Sequence, residues 1–312
     1  MKRILVIGSF MTDLVVTASR FVREGETIQG DSFSQYPGGK GANQAVAAAR
    51  LGGSVTILGK LGKDEFAKQQ MTSLRANGVD CSHVFFTDQV GSGVGNPQLD
   101  RAGNNRIVVV PGANMTFTPE DIRHVRTLIE DSDIVVLQLE IPMETTYEAI
   151  RIAKTSGATV VLNPAPFQRI DEAYSAMVDW IIPNEHEAKG LSGIHPIDMD
   201  SARVSAEYLL DAGYGGVVIT MGGLGSYARK GSEEFRVPAI SFGPAVDTTA
   251  AGDSFIGAFA YGLSKSWSLE RNMCIASMAA GITVTRRGAQ PSLPSWSDIE
   301  KYVKLNENRI PK

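Results

Sequence analysis

The chain has 312 residues, 43% of them hydrophobic and 21% charged, with 30 Lys and Arg against 34 Asp and Glu for a formal charge of −4. At roughly 150 residues per domain this suits one large domain, or one domain and a small companion, with a substantial core, and it excludes wholesale disorder. With no basic stripe and no apolar run approaching about 18 residues, neither nucleic acid nor a membrane is an expected partner.

In chain order, residues 4–8 read as a buried strand; this apolar run stops at Gly8, too soon for the core of a leader. Residues 14–36 mix β-branched, aromatic and glycine residues without a helical period. Residues 43–51 read as a helix, 55–59 as a strand and 66–77 as a helix. Residues 90–110 break the rhythm as 14–36 do. The alternation then resumes with a helix at 119–130, strands at 134–139, 159–162, 180–183 and 217–221, and helices at 143–155, 202–212, 254–265 and 269–284. Such alternation predicts βαβ units, hence a three-layer α/β/α fold with a mostly parallel central sheet and ligands beyond the carboxyl ends of its strands. The two irregular segments are expected to form a small antiparallel sheet outside it, which needs a substrate or a second subunit to cover it. Residues 306–312 are expected to fray. Cys81 and Cys274 are isolated thiols, which suits a reducing compartment, most simply the cytoplasm.

Four segments carry chemistry. The densest is Asp247-Thr248-Thr249-Ala250-Ala251-Gly252-Asp253-Ser254, opening an apolar helix. Small residues at 250–252 let a ligand approach backbone amides that favour an anion, and Asp253 stands beside them as a proton acceptor. Anion hole plus carboxylate is what phosphoryl transfer to an alcohol needs; the plainer role for Asp253 is a helix cap. Gly38-Gly39-Lys40-Gly41-Ala42-Asn43-Gln44-Ala45 opens another helix without P-loop spacing. Its glycines would let a sugar lie on the backbone, with Lys40 and Asn43 as donors; otherwise it is a glycine turn with an exposed lysine. Thr220-Met221-Gly222-Gly223-Leu224-Gly225 is a strand running into a turn, suited to phosphates or a base, or to a hairpin. Asn184 and Glu187, three apart, suit Mg2+ held through water, or helix capping.

Together these segments resemble the ribokinase-like family of carbohydrate kinases, in motif order and over nearly the whole chain. Asn163-Pro164-Ala165-Pro166 and Gly288-Ala289-Gln290-Pro291-Ser292 match lesser signatures. The resemblance implies one kinase domain over 1–312 with a lid inserted from about 10–36 and 90–110, and a homodimer formed through that lid. It implies Asp253 as the base acting on a primary hydroxyl, and Ala250, Ala251 and Gly252 as the anion hole. ATP would sit on Asn184, Thr220, Met221, Gly222, Gly223, Leu224, Gly225 and Gly252, with Mg2+ linked to Glu187. Sugar would meet Met11, Asp13, Gly39, Lys40, Asn43, Glu140 and Asp253. A monovalent cation, K+ by expectation, would lie among Asp247, Thr249, Thr283, Arg286, Gly288 and Ser292, mostly on carbonyls. The implied activity is ATP-dependent phosphorylation of 2-deoxy-D-ribose or D-ribose at O5. Met11 stands where ribokinases carry an asparagine, which favours 2-deoxyribose. A nucleoside or hexose kinase of the same family, and a non-catalytic sugar or nucleotide sensor, are the alternatives. Gly95-Asn96-Pro97-Gln98 is a polar stretch in a strand expected to face the sugar.

Overall fold

The computed structural model describes residues 2–102 and 104–305. Its strands are β1 Arg3–Ile7, β2 Met11–Ala18, β3 Gly30–Gly38, β4 Ser54–Leu58, β5 Lys60–Gly62, β6 Phe85–Thr87, β7 Gly93–Leu99, β8 Asn105–Val110, β9 Ile134–Leu137, β10 Thr159–Leu162, β11 Trp180–Ile181, β12 Val217–Thr220, β13 Ser226–Lys230 and β14 Glu233–Val237. Its helices are α1 Lys40–Arg50, α2 Glu65–Ala76, α3 Pro119–His124, α4 Arg126–Glu130, α5 Met143–Thr155, α6 Glu185–Ser192, α7 Met199–Asp211, α8 Ala251–Ser264, α9 Leu269–Thr283 and α10 Trp296–Leu305. The fraying expected at 306–312 lies outside the described residues.

The central sheet runs β14-β13-β12-β11-β10-β9-β1-β4. Its pairs from β4 to β12 are parallel; β12–β13 and β13–β14 are antiparallel. Strand alternation gives the sheet two apolar faces. Ile4, Val6, Val55 and Val136 face a core closed by α1, α2, α8 and α9, whereas Leu5, Ile7, Val135 and Leu137 face one closed by α3 to α7. The expected three layers are therefore present. Order turns at β1, which has β4 on one side and β9 on the other, so a crevice opens beyond their carboxyl ends.

The expected helix at 119–130 is two, broken at Val125, whose φ of −110° and ψ of 25° leave the helical region. The segments expected to form the lid make a four-stranded sheet of order β3-β2-β7-β8. It is mixed rather than antiparallel. Each irregular segment folds as an antiparallel pair, and the two pairs meet through parallel β2 and β7, both leaving the body in one direction. No helix among the described residues is long and apolar enough to cross a membrane, and Cys81 and Cys274 are both free thiols.

Candidate active site

Everything converges on the first turn of α8. Ala250 precedes this helix in a left-handed conformation, φ 61°, with no side chain capping the helix. A non-glycine residue held there stores strain of about 1–3 kcal/mol, the kind of cost that clusters at functional sites. The turn aims the first amides of α8 outward. Ala251 N–H donates to Thr248 O at 3.2 Å, whereas those of Gly252 and Asp253 have no intrahelical acceptor. A Cβ on Gly252 would meet nothing within 4 Å, so the space beside its Cα is open. Asp253 is not the cap. Its buried carboxylate accepts Asn43 Nδ2 at 2.8 Å and Gln44 Nε2 at 3.0 Å, both from α1.

Small residues let α1 come this close. A Cβ on Gly257, one turn beyond Asp253, would lie 2.5 Å from Ala47 Cβ and 2.6 Å from Gln44 O. The glycines before α1 have a related task. A Cβ on Gly39 (φ 92°) would strike Met11 N at 2.6 Å, and one on Gly41 would strike Ser9 N at the same distance. These residues seat the helix on the β1–β2 link; where a Cβ would stand there is protein backbone, not ligand space.

Lys40 begins α1 and is not an exposed lysine. Its N–H donates to Glu140 Oε2 at 3.1 Å, which also accepts Ser9 Oγ. Burial pulls the ammonium's pKa down, but the carboxylates of Asp253, Glu140 and Glu187 outweigh it and hold the proton above the ordinary lysine value. Lys40, Asn163, Asn184, Glu187, Thr220, Gly252 and Asp253 line one small cleft of about 90 Å³. Asn184 and Glu187 form a complete capping box on α6. Asn184 Oδ1 accepts His186 and Glu187 N–H at 2.9 Å each, and Glu187 accepts Asn184 N–H at 2.9 Å and Nδ2 at 3.0 Å. The capping alternative is thus realised, inside the cleft. Burial raises the Glu187 carboxyl; the Asn184 amide and Lys40 partly offset this.

Thr220 and Gly252 also line a larger cavity of about 480 Å³, between the β12–β13 turn, the 239–251 segment and α9. Gly222 and Gly223 face it with nothing within 4 Å of a Cβ, whereas Gly225 (φ 98°) is required by the hairpin it closes. Met221 and Leu224 part here: Met221 is buried in the core and Leu224 is exposed.

Beyond Asp253 lies the lid. Gln70 of α2 ties its roots, donating from Nε2 to Met11 O and to Gly38 O, the latter at 3.0 Å. Asp13 lies between two glycines, where a Cβ on Gly38 would come 2.6 Å from Oδ2 and one on Gly95 2.5 Å from Oδ1. Burial, then Glu140, Asp253 and Asp247, push its carboxyl up to about 6. Met11 shares this face. Its Sδ is 3.7 Å from Asn114 Nδ2 and over Gly93. Register puts Asn96 and Gln98 opposite Leu14 and Val16, on the face away from Asp13. The amide side chains of this stretch therefore lie on the face opposite Asp13, and Gly95 and Pro97 lie on its own face.

The 247–250 loop is pinned to the segment after α9. Asp247 accepts Thr249 N–H and Gly288 N–H at 2.9 Å each. Burial opposes, but these bonds and Arg287 hold its carboxyl below the usual range. Val284 O accepts the Val246 and Asp247 amides. Other members of the expected cation set use their side chains elsewhere: Thr283 Oγ1 on Ser254 and Ala279 O, Ser292 Oγ on Ala289 O, Arg286 on Asp298 at 3.1 Å. Lid and loop touch, since a Cβ on Gly288 would lie 3.2 Å from the Tyr36 ring. Among the described residues no cluster of three or more His, Cys, Asp or Glu side chains stands ready for a metal ion.

Sequence reasoning missed the amides behind Asp253. Gln44 and Gln138 are fully buried, and Asn163 is buried with them. An isolated glutamine in an apolar helix carries no periodic signal; only the polar interruption of a core-facing position hinted at it.

The family model of the pfkB family carbohydrate kinases matches residues 1–296. The deoxyribokinase of Salmonella typhimurium is 39% identical over 306 residues, 97% of this chain and 99% of that protein. The ribokinase of Staphylococcus aureus is 36% identical over 96% of this chain and 99% of that protein. Among solved structures, Arabidopsis thaliana ribokinase complexed with ribose and ATP superposes with a TM-score of 0.91 at 29% identity, covering 97% of this chain and 99% of that one. Thermotoga maritima ribokinase gives 0.89 at 33%, covering 97% and 100%.

Proposed function

The chain belongs to the pfkB family of carbohydrate kinases, and on that premise we propose that it transfers the γ-phosphoryl group of ATP to O5 of a pentose, 2-deoxy-D-ribose or D-ribose, with 2-deoxyribose slightly favoured. The relatives named deoxyribokinase and ribokinase support the substrate class. One observation carries the chemistry: a buried carboxylate at a helix N-terminus, held by two amides, at the end of a cleft that opens into a cavity of nucleotide size.

In this reading the base and ribose of ATP occupy the larger cavity, and the phosphates pass Thr220 and Asn184 toward Gly252. Asp253 accepts the proton of the sugar hydroxyl as its oxygen attacks. The Gly252 and Asp253 amides meet the charge spread over the transferred phosphoryl group. Lys40, in the field of three carboxylates, carries positive charge between sugar and donor. Asp13, Asn43 and Glu140 bind sugar hydroxyls, and the lid excludes water that would otherwise take the phosphoryl group.

Mg2+ supplies charge neutralisation on the transferring phosphates. Both Glu187 oxygens already accept from Asn184, so the fit is through water rather than by direct ligation. A monovalent cation would be held near the loop where Asp247 joins Thr249 and Gly288, on main-chain carbonyls, since the Thr283 and Arg286 side chains are engaged elsewhere. A second copy of the chain covers the outer lid face, where Phe33, Val108 and Val110 are each more than half exposed. A solution mass of one chain at micromolar concentration would remove this dimer from the reading.

Met11 is the specificity element. A thioether is a weak acceptor where an asparagine would pair with a hydroxyl, and a hydroxyl buried without a partner costs about 1–3 kcal/mol. The deciding experiment is kcat/KM for ribose, 2-deoxyribose, fructose and several nucleosides, with and without K+, repeated on Met11→Asn. The expected result is a modest 2-deoxyribose preference that moves toward ribose in the variant. A wild-type preference for ribose, or a ratio that does not move, refutes the role of Met11; turnover of nucleosides alone refutes the pentose.

A further inference from the structure

Behind Asp253 lies a chain of side-chain amides whose orientations are all fixed by one backbone acceptor. Ile182 O can only accept, so Asn163 presents Nδ2 to it, at 3.0 Å, and turns Oδ1 toward Gln44. Gln44 must then offer Nε2, which reaches Asn163 Oδ1 at 3.2 Å and Asp253 Oδ1 at 3.0 Å. That leaves Gln44 Oε1 facing Gln138, which donates Nε2 to it at 2.6 Å. Gln44 and Gln138 have no exposed surface, so neither touches a substrate in the cleft. A Cβ on Gly8 would collide with the Gln138 amide, so the glycine just after the first strand makes room for this relay.

We propose that Gln44, held by Gln138 and Asn163, is the positioning residue of the catalytic base. Asn43 and Gln44 each take one oxygen of Asp253, which fixes its rotamer toward the cleft it lines. The other charged groups around Asp253 are Lys40 from α1, Glu187 from α6 and Asp13 from the lid, and none of them is moved by a change at Gln44. The inference rests on the reading of Asp253 as base.

The test is Gln44→Met, of similar shape but without the donor, followed by steady-state kinetics at pH 7. The expected result is a kcat about 10- to 100-fold lower, with KM for sugar and ATP within about threefold. Gln138→Met, which does not touch Asp253, gives the same pattern more weakly and carries the test should Gln44→Met fail to fold. A kcat within twofold of wild type, or a loss carried by KM instead of kcat, overturns the proposal. Asp253→Asn keeps the two readings apart. If it retains activity, the base assignment falls. If it is inactive while Gln44→Met keeps wild-type kcat, only the positioning role falls.

Discussion

Gly257→Ala tests whether the spacing of two helices sets the chemistry. The added methyl would lie 2.6 Å from Gln44 O and 2.9 Å from Ala48 N, where 3.4 Å is the onset of ordinary contact. The obstacles are these backbone atoms and, nearest at 2.5 Å, the Cβ of Ala47, none of which can turn aside, so α1 and α8 must part by about 0.9 Å at this point. Overpacking of this sort costs about 1–3 kcal/mol. Alanine recovers up to about 1 kcal/mol through helix propensity, leaving a net loss of about 0–2 kcal/mol. The effect on rate should be larger than that suggests. Parting the helices lifts Asn43 and Gln44 from Asp253, and a misplacement near 1 Å can cost about 10²-fold. Calorimetry beside kcat at 25 °C, where the variant is still folded, separates the two. The expected outcome is a Tm lowered by a few degrees and a kcat lowered about 10- to 100-fold. A lowered Tm with an unchanged kcat would show that the α1–α8 distance does not govern the base.

Three further outcomes follow from the site. Asp253→Asn, which puts an amide against the Asn43 and Gln44 donors, should lower kcat by about 10² to 10⁴ with sugar affinity by titration calorimetry nearly kept; more than about a tenth of wild-type kcat would remove Asp253 as base. Asp13, raised to about 6 when folded against about 3.9 unfolded, contributes stability that is present below about pH 4 and lost as pH rises through 6, about 3 kcal/mol in all. Asp13→Asn should therefore melt higher than wild type at pH 8 and equally at pH 4, with a raised sugar KM; a Tm difference independent of pH contradicts this. The larger cavity is lined by glycine, alanine, serine, threonine and apolar side chains, with no acid, base or amide side chain among its lining residues, so GTP should serve within about tenfold of ATP in kcat/KM. A preference of 10³ or more would mean that the main chain reads the base.

The sheet was legible because parallel strands buried on both faces are unbroken apolar runs: 159–162 and the helix at 143–155 fall where the residues predict. The hairpin of β13 and β14 was not. Ser226–Lys230 and Glu233–Val237 lie at the sheet's end and mix Arg, Lys and Glu with apolar residues, a pattern without a clear period. The α8 segment was legible because glycine and alanine before an apolar helix are unusual enough to need a reason. Chemistry distributed over single residues far apart in sequence was not: Gln138 and Gln44 are 94 positions apart and acquire meaning only when β9 and α1 meet. Gly39 and Gly41 were visible but their packing role was not, since a glycine that yields to protein backbone and one that yields to ligand look alike in a string of letters.

On the pentose-kinase reading proposed above, those two glycines limit how the site can change its substrate. On the helix side, any side chain at position 39 or 41 drives into the main chain of residues 8–11, so no single substitution there leads to a different sugar without first breaking the fold. On the lid side, Met11 Sδ lies against the tip of Asn114 and over the backbone at Gly93, with no main-chain atom of α1 in its way. Evolutionary drift among pentoses, and any laboratory selection for a new one, has an open route through the roof of the pocket and a closed one through its floor.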